Sequence, residues 1–568
     1  MKTVWGDKLD PNHILEEYPR PQMKRDSYLN LNGVWNYAIT ETQTPPEKYD
    51  GQIIVPFSPE SELSSVSRTL KPSQTLWYSR VLRLLDGFNR GRVLLHFGAV
   101  DQQAVVFING TEVGSHVGGY TPFTIDISSC VQEEITVVVK VRDVSDTSFY
   151  SRGKQKIDRG GIWYTAQSGI WQSVWLESVP EQYIGGLKIT PFFDEGEVEL
   201  TVISEGRHPC QAQVDGAEIA LFSNEPARLK IADFIAWSPE NPYLYSLNIT
   251  MGEDSVESYF GMRKFSVERD EKGVNRLFFN NKPYFHTGLL DQGYYSDGLY
   301  TAPSDEAIIF DIQTSKDMGF NMLRKHIKIE PLRFYYHCDR LGMLVWQDMV
   351  NGGGKYKNLT ILSPIVTGIH FKDSRYKLFA RESKEGREQY LRELDETVLH
   401  LYNAVSLAMW VPFNEGWGQF DASDAVKRIL SLDKTRTIDH ASGWHDQKIG
   451  EIKSLHVYYR PYHFKQDKQE RAVVLSEFGG YNYRERGHCA SERDFGYKRL
   501  KTPIKLLEAF EHLYNNEILP AKEKGLCATV YTQLTDVEDE LNGLISYDRK
   551  IVKFPAENVR KINDKLKP

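Results

Sequence analysis

Residues 319–347 read GFNMLRKHIKIEPLRFYYHCDRLGMLVWQ, and this stretch decides the fold. Met322–His326 and Met343–Gln347 are short apolar runs, and Pro331–Leu341 between them has the pattern of an amphipathic helix. Strand, helix and strand in this order form one βα unit of a parallel sheet. The same alternation runs from about Val274 to the end of the chain. The sequence therefore predicts a parallel α/β domain in this half.

The number of apolar runs in that half indicates a closed barrel. Eight strands with helical segments between them are typical of a (β/α)8 TIM barrel. The predicted strands are Tyr284–Leu290, Met322–His326, Met343–Gln347, Ser406–Phe413, Thr437–His440, Ser454–Tyr458, Val473–Glu477 and Ala528–Gln533. The predicted helices are Asp305–Met318, Pro331–Leu341, Arg387–Tyr402 and Asp421–Leu432. The Gly- and Lys-rich segment Asn351–Ser383 is interpreted as a loop over the active face.

The N-terminal half is predicted to be all β, so the protein is multidomain. Trp35–Glu177 contains many β-branched and aromatic runs, and one of them, Ala104–Ile108, ends in the tight turn Asn109–Gly110. We interpret residues 1–181 as a jelly-roll β-sandwich that resembles a sugar-binding domain. A shorter alternating stretch suits an immunoglobulin-like β-sandwich over residues 182–270, which leaves residues 271–568 for the barrel.

Composition excludes several classes of protein. The chain has 568 residues and a formal net charge of −8, which argues against a nucleic-acid binder because such a protein needs a basic face. It has no uninterrupted apolar run of about 18 residues, so no membrane span is expected. The N-terminus has no apolar signal region, and the five cysteines are widely scattered. This pattern favours reduced thiols and predicts a cytoplasmic protein.

Two glutamates stand at the ends of predicted barrel strands, where the working residues of such a barrel lie. Met409–Phe413 runs into Asn414–Trp417, which contains Glu415, and Val473–Ser476 runs into Glu477. A glutamate that closes an apolar strand is unfavourable unless it is solvated or has a chemical task. Glycoside cleavage needs two carboxyls, one to protonate the leaving oxygen and one to attack the anomeric carbon or activate water. The pair therefore predicts a glycosidase, against the simpler interpretation of two surface glutamates.

Longer motifs in all three units resemble glycoside hydrolase family 2, the β-galactosidase and β-glucuronidase family. Gly161–Tyr164 and Ser168–Glu177 resemble its sugar-binding domain, and Phe260–Arg263 resembles its approach to the barrel. Gly319–Arg324 and Cys338–Trp346 resemble its second and third barrel strands. The resemblance covers nearly the whole chain. It implies a retaining exo-acting β-glycosidase that hydrolyses the terminal non-reducing sugar of an oligosaccharide or other glycoside.

The resemblance also implies roles for individual residues. Glu415 matches the general acid/base of the family and Glu477 its nucleophile. Asn414 matches an asparagine that bonds the sugar 2-hydroxyl, a contact that strengthens in the transition state. Arg324 is expected to hold Glu477 ionised, because a nearby cation lowers a carboxylate pKa. Tyr458 matches the tyrosine that hydrogen-bonds the nucleophile.

Further candidates share a predicted place at the barrel mouth: His326, Trp444, His456, Asp291, Gln292 and Asp536, with Tyr459 as the alternative to Tyr458 if the register shifts by one. For His456 and Trp444, core packing explains the residue equally well. Asp291, Gln292 and Asp536 follow the first and eighth strands, where each side chain also suits the cap of a helix or turn.

These motifs do not decide which sugar is bound. The glucuronidase branch of the family grips the carboxylate of its sugar with an Asn-x-Lys near the eighth strand. Asn542–Gly543–Leu544 stands in the comparable region without the lysine. A β-galactosidase is therefore expected as the commonest remaining activity, although one fold hosts many specificities. β-Glucuronidase, β-galactofuranosidase and α-L-arabinopyranosidase remain alternatives.

Two other classes share these features. A transglycosylase has the same catalytic residues and passes the sugar to another acceptor. A non-catalytic carbohydrate-binding protein is expected to have lost a catalytic residue, whereas Glu415, Glu477 and Arg324 are all present. No cofactor is predicted, and spacing decides nothing about the Mg²⁺ or Na⁺ that some family members bind near the acid/base. A homo-oligomer is compatible with the resemblance, since the family often builds dimers or tetramers.

Overall fold

The computed structural model describes residues 1–567, apart from the side chain of residue 366. Its N-terminal unit is a β-sandwich of two antiparallel sheets. Along one strand, Ile135–Arg142, buried and half-buried side chains alternate, so one face of its sheet points into the core. The four-stranded sheet contains, in spatial order, Tyr28–Asn30, Val174–Val179, Arg92–Phe97 and Phe123–Asp126. The six-stranded sheet contains Gly51–Val55, Gly33–Thr40, Thr75–Leu82, Ile135–Arg142, Gln103–Ile108 and Thr111–Val117.

The second unit is a smaller sandwich with its own apolar core. Val198, Leu200 and Val202 face Leu247 and Ile249 across the two sheets, and all five are almost fully buried. One sheet contains Ile184–Phe192, Glu197–Ser204 and Ala227–Lys230. The other contains Ala217–Phe222, Pro209–Val214, Tyr245–Met251 and Asp254–Phe260. A three-stranded connector, Phe265–Arg269, Asn275–Phe279 and Lys282–Pro283, then leads to the barrel.

The third unit confirms the predicted barrel. Its strands are β1 His286–Asp291, β2 Met322–Lys325, β3 Leu344–Asp348, β4 Leu407–Val411, β5 Thr437–Ile438, β6 Ile452–Val457, β7 Ala472–Gly479 and β8 Leu526–Thr532. All eight are parallel, in the order β5-β4-β3-β2-β1-β8-β7-β6. Because parallel neighbours point the same way, the carboxyl ends of all eight strands open at one mouth.

Three of the helices outside the barrel begin directly after a side chain that caps the first turn. Ser304 caps α1, Ser383 caps α4 and Thr502 caps α6, each by accepting a backbone N–H of the first turn. The helices are α1 Asp305–Asp317, α2 Leu332–Leu341, α3 Asn358–Val366, α4 Lys384–His400, α5 Ala422–Leu432, α6 Pro503–Leu513, α7 Leu519–Lys524 and α8 Ala556–Asn563. The segment interpreted as a loop, Asn351–Ser383, contains α3. Within the described residues, none of these helices has both the length and the apolarity to cross a membrane.

The N-terminal sandwich packs directly on the mouth of the barrel. Arg152 and Gly153 donate their backbone N–H groups to the carbonyl oxygen of Asn351, at 2.9 and 3.1 Å. Nearby, Tyr164 donates its hydroxyl to Glu540 in the segment after β8. The same apolar cluster contains Trp171 of the sandwich and many residues of the barrel. The sandwich therefore forms one wall of the barrel mouth.

Candidate active site

The two predicted carboxyls meet at the barrel mouth. Glu415 lies four residues beyond β4, and its backbone φ of +50° is a left-handed conformation that is strained for a glutamate. Its N–H donates to the carbonyl of Ser442 at 3.0 Å. Glu477 lies within β7, next to an irregularity in the pairing of that strand. One oxygen from each carboxyl and one ring nitrogen of His456 all lie within 4.8 Å of one another.

Glu477 is held by a cation and a hydroxyl. Arg324 Nη1 lies 3.3 Å from Glu477 Oε1, and Tyr458 donates its hydroxyl to Oε2 at 2.5 Å. Arg324 is itself fixed, since Nε and Nη2 donate to the two oxygens of Asp348 at 3.0 and 3.1 Å. The predicted contacts of Arg324 and Tyr458 with Glu477 are therefore present, and Tyr459 is instead 69% exposed.

Burial and charge act on the Glu477 carboxyl in opposite directions. Burial is the largest influence and raises the pKa of Glu477 above its ordinary value. His456, Arg324 and the Tyr458 hydroxyl lower that pKa, and the neighbouring Glu415 raises it. Arg324 thus acts in the predicted direction, but it does not outweigh the loss of hydration.

Glu415 has a more apolar environment. Glu415 as a whole is 7% exposed. Its Oε1 lies 2.8 Å from His456 Nδ1. Burial raises the pKa of Glu415 to about 7, while Lys154 and Arg324 lower it and Glu540 raises it. A pKa near neutrality suits a group that must arrive protonated and leave ionised.

His456 lies between the two carboxyls. Its Nδ1 contacts Glu415, and its Nε2 lies 3.1 Å from Ser442 Oγ and 3.5 Å from Glu477 Oε1. Burial lowers the pKa of His456 to about 4, so the ring is neutral at neutral pH. This residue therefore supports the pair by hydrogen bonding rather than by charge.

Asn414 has one polar atom left for a ligand. Its Oδ1 accepts from Arg324 Nη2 at 2.8 Å, which fixes the orientation of the amide. Its buried Nδ2 has no hydrogen-bond partner among residues 1–567. A sugar hydroxyl beside the two carboxyls would satisfy that donor. Trp417, two residues after Glu415, also has a buried indole N–H without a partner in the described chain.

The other predicted residues have different surroundings. His326 contacts Asp348 Oδ2 at 2.8 Å and so supports the Arg324 pair. Trp444 lies beside His456, with ring centres 6.3 Å apart. Gln292 donates to Gln533 Oε1 at 2.8 Å, close to the end of β8.

Asp291 and Asp536 are already bound by buried lysines. Asp291 accepts from Lys325 Nζ at 2.6 Å, and Asp536 accepts from Lys553 Nζ at 2.7 Å. Lys325 also lies over the ring of Phe334 in α2, on the outer side of the barrel wall. Successive residues of a strand face opposite sides, so Asp291 and Lys325 point away from the interior that Arg324 faces. The structure does not bring Asp291 to the two glutamates.

Several residues around the pair were not among the predicted site residues. Lys154 and Tyr164 come from the sandwich, Glu540 from the segment after β8, and Tyr497 stacks on Tyr458 with ring centres 3.7 Å apart. Trp417 belongs to the quoted motif around Glu415, so its position in sequence was a usable signal. Tyr164 likewise closes the motif Gly161–Tyr164 of the sandwich, whereas no local pattern marks Lys154, Glu540 or Tyr497.

Two cavities are relevant to ligand binding. A groove with an empty volume of about 1410 Å³, its open mouth included, is lined by Trp444, His456, Tyr458, Tyr459 and Arg460 among others. Two of these residues, His456 and Tyr458, contact the two glutamates, although neither glutamate lines the groove itself. A cavity of about 1080 Å³ lies between the sandwich and the outer helices, and its lining includes neither glutamate and none of their hydrogen-bond partners. The groove is therefore the cavity that adjoins the two glutamates.

Three family profiles match the chain in the order of its units. The sugar binding domain of glycosyl hydrolases family 2 matches residues 64–180. The profile described simply as glycosyl hydrolases family 2 matches residues 187–263. The TIM barrel domain of the same family matches residues 275–492.

Curated relatives are similar over part of their length. A putative β-glucuronidase of Formosa agariphila is 29% identical over 48% of this chain and 34% of its own. A β-glucuronidase of Streptococcus agalactiae is 25% identical over 70% of this chain and 68% of its own. A β-galactosidase of Thermoanaerobacter pseudethanolicus is 24% identical over 63% of this chain and 47% of its own. The chain thus spans about a third of the length of the first relative and about two thirds of that of the second.

Solved structures share the whole fold. The β-D-glucuronidase of Dictyoglomus thermophilum superposes with a TM-score of 0.75 and covers 96% of this chain and 98% of its own. Its sequence identity is 17%, so this similarity concerns the fold alone. The arrangement of two sandwiches and a barrel is therefore common to both proteins.

Proposed function

Because the chain belongs to glycosyl hydrolases family 2 and is a retaining glycoside hydrolase, we propose that it removes a terminal β-linked glucuronic acid from a glycoside. One observation supports the reaction above all others: an oxygen of Glu415 and an oxygen of Glu477 lie within 4.8 Å at the barrel mouth. Carboxyls about 5–5.5 Å apart suit a covalent intermediate, whereas inverting enzymes keep them about 6.5–9.5 Å apart.

The proposed roles follow from the two environments. Glu477 attacks the anomeric carbon as the bond to the leaving oxygen breaks, and Glu415 gives its proton to that oxygen. Glu415, now ionised, takes a proton from water as the water oxygen attacks the anomeric carbon and releases Glu477. Asn414 Nδ2 is available to the sugar 2-hydroxyl beside this centre. Each step uses the residue whose surroundings favour the required protonation state.

The choice of sugar rests on the relatives. Two of the three sequence relatives described above have β-glucuronidase names, which supports the glucuronidase alternative over the β-galactosidase expected from frequency. Between β8 and α8 the two lysines, Lys550 and Lys553, are each already paired with an aspartate. Asn542 Nδ2 donates to Glu540 at 2.9 Å, and Lys553 is bound to Asp536 and two carbonyl oxygens.

A panel of nitrophenyl glycosides tests the proposal. The purified protein should hydrolyse the β-glucuronide with a higher kcat/KM than the β-galactoside, β-glucoside, β-mannoside, β-galactofuranoside and α-arabinopyranoside. Faster hydrolysis of any neutral glycoside would overturn the glucuronide assignment. The ratio of transfer to hydrolysis products at high acceptor concentration separates a hydrolase from a transglycosylase.

The pH dependence of kcat/KM should be bell-shaped. Glu415 must be protonated, so kcat/KM is expected to fall above a pKa of about 7. Glu477 must be ionised, and because burial raises its pKa, the acid limb should lie above the ordinary glutamate value of about 4.3. Initial rates from pH 4 to 9 with substrate well below KM measure both limbs. A basic limb that persists unchanged in Glu415→Ala would contradict its assignment.

Tyr458→Phe should weaken the nucleophile without removing it. The variant loses the hydroxyl that donates to Glu477 Oε2, and a hydrogen bond to a charged group contributes about 1.5–3 kcal/mol, so kcat should fall about 10- to 100-fold. The acid limb should also move to higher pH, because the lost bond lowers the Glu477 pKa. Tyr459→Phe is the matched control, since Tyr459 is the adjacent, exposed tyrosine. A larger fall in kcat in Tyr459→Phe than in Tyr458→Phe would instead assign the contact with the nucleophile to Tyr459.

A further inference from the structure

Lys154 has an unusual environment for a buried lysine. Four lysines of the described chain are buried: Lys154, Lys325, Lys328 and Lys553. Three of them are fully engaged by carboxylate or carbonyl oxygens. Lys154 is only 6% exposed, yet residues 1–567 place no hydrogen-bond acceptor on its Nζ and no carboxylate oxygen within 4.0 Å of it. The Nζ atom itself keeps some solvent-accessible surface, so the ammonium is open to a ligand, and an anionic group would accept from donors that residues 1–567 leave without an acceptor.

Aromatic rings form the surroundings of this ammonium. Lys154 Nζ lies 5.3 Å from the ring centre of Tyr164 and 5.9 Å from that of Trp417. Cation–π contacts of this kind hold an ammonium in place without occupying its N–H donors. Both rings belong to the site, because Tyr164 donates to Glu540 and Trp417 follows Glu415 by two residues. Lys154 also lowers the pKa of Glu415, more than any other charged neighbour does.

The backbone around Lys154 is fixed on both sides. Gly153 donates to Asn351 and has a φ of +63°, and a Cβ atom there would lie 2.9 Å from the carbonyl oxygen of Ile327. On the other side, the carbonyl of Lys154 accepts from Tyr164 N at 3.0 Å. Because the backbone on both sides of Lys154 is fixed, this residue loses little further freedom when its side chain binds a ligand.

Glu540, an anion on the same side of the site, already has hydrogen-bond partners. Glu540 accepts from the Tyr164 hydroxyl and, at 2.9 Å, from Asn542 Nδ2, and no cation of the described chain lies within 4.0 Å of it. Glu540 and Lys154 therefore share one wall of the site without forming an ion pair. An anionic ligand group at this wall would be drawn to Lys154 and kept away from Glu540.

We propose that the Lys154 ammonium binds the carboxylate of the glucuronic acid, an inference that rests on the proposed function. A lysine of the N-terminal sandwich then supplies the cation that the segment after β8 lacks. The sandwich thereby helps to determine which sugar the barrel hydrolyses. Hydrolysis of a glucuronide would depend on this contact, whereas hydrolysis of the neutral glucoside would not.

The test compares two substrates that differ only at this group, nitrophenyl β-glucuronide and nitrophenyl β-glucoside. Lys154→Met keeps the length of the side chain and removes its charge. Loss of a charge-assisted hydrogen bond should lower kcat/KM on the glucuronide about 100-fold and change that on the glucoside less than about 3-fold. Lys156→Met, two residues further along the same segment, is the matched control and should leave both values unchanged. Inhibition by free glucuronate should weaken in Lys154→Met by a similar factor, which gives a second measurement if the glucoside is hydrolysed too slowly.

The outcomes separate this inference from the proposed function. If the wild type hydrolyses only neutral glycosides, both proposals fail together. If the wild type hydrolyses the glucuronide, and Lys154→Met lowers kcat/KM equally on both substrates or on neither, then only the role of Lys154 is overturned. An equal loss with a basic limb shifted to higher pH would show that Lys154 acts through Glu415. Lys154→Arg retains the charge and should keep the preference for the glucuronide to within about tenfold. This variant provides the test if Lys154→Met does not fold.

Discussion

Replacing Glu477 with glutamine is expected to lower kcat by at least about 10⁴-fold on every substrate that the wild type hydrolyses. The amide is neutral and cannot form the covalent bond to the anomeric carbon, while its size and shape are nearly unchanged. The amide oxygen can still accept from Arg324, and the amide NH2 can donate to the Tyr458 hydroxyl oxygen, so the site should keep its geometry. Steady-state kinetics with a nitrophenyl glycoside measures the loss, and thermal unfolding checks that the variant is folded.

A smaller side chain at the same position distinguishes a nucleophile from a structural residue. Glu477→Ala leaves space beside the anomeric carbon that azide can enter, and the product should be the glycosyl azide of inverted configuration. Proton NMR of the product gives the configuration from the coupling of the anomeric proton. Glu470→Gln is the control, because Glu470 is exposed and pairs with Arg269 outside the site. Residual activity of Glu477→Gln above about one per cent would contradict the covalent role.

The barrel was predictable because its signals are local. Each predicted strand overlaps an observed one, since apolar runs between helical segments leave few alternatives for the chain. The helix predicted from Asp305 begins at that residue, whereas the helix predicted from Arg387 begins three residues earlier, at Lys384. The helix α3 was not predicted, because its residues are apolar around most of the helix and include Pro364. Such a segment lacks the periodicity by which a helix is recognised.

The centre of the site was predictable from strand ends, but its wall was not. Glu477 lies in an apolar strand and Glu415 follows another, so their approach follows from the closure of the barrel. Lys154 comes from a different domain, and nothing in its own segment indicates that the ammonium lacks a partner. Asp291 shows the opposite case. It follows the predicted strand Tyr284–Leu290, but the neighbouring register places it beside Lys325 on the outer face.

The environments of the two glutamates divide their roles. Glu477 contacts a guanidinium and a hydroxyl, which favour the ionised form. Glu415 contacts a neutral imidazole, and burial raises its pKa to about 7. The two carboxyls therefore have different hydrogen-bond partners, which suits the two different roles that a double-displacement reaction requires.

Glu415→Ala should therefore separate substrates by their leaving groups. An alkyl glycoside needs a proton on its leaving oxygen, so kcat/KM should fall about 10²- to 10⁴-fold. A dinitrophenyl glycoside leaves as a stable phenolate, and its kcat/KM should change little. The second step still lacks its general base, so kcat on the dinitrophenyl glycoside should fall as the covalent intermediate accumulates.

Azide should reverse that accumulation. As an anion it needs no general base, and it attacks the intermediate to give a glycosyl azide of retained configuration, the opposite of the product expected from Glu477→Ala. A pre-steady-state burst of dinitrophenolate followed by a slow phase that azide accelerates would confirm the assignment. The basic limb near pH 7 should vanish from the same variant, because Glu415 is the group whose pKa burial raises to about 7. Equal losses on the alkyl and dinitrophenyl glycosides would mean that Glu415 holds the site together without transferring a proton.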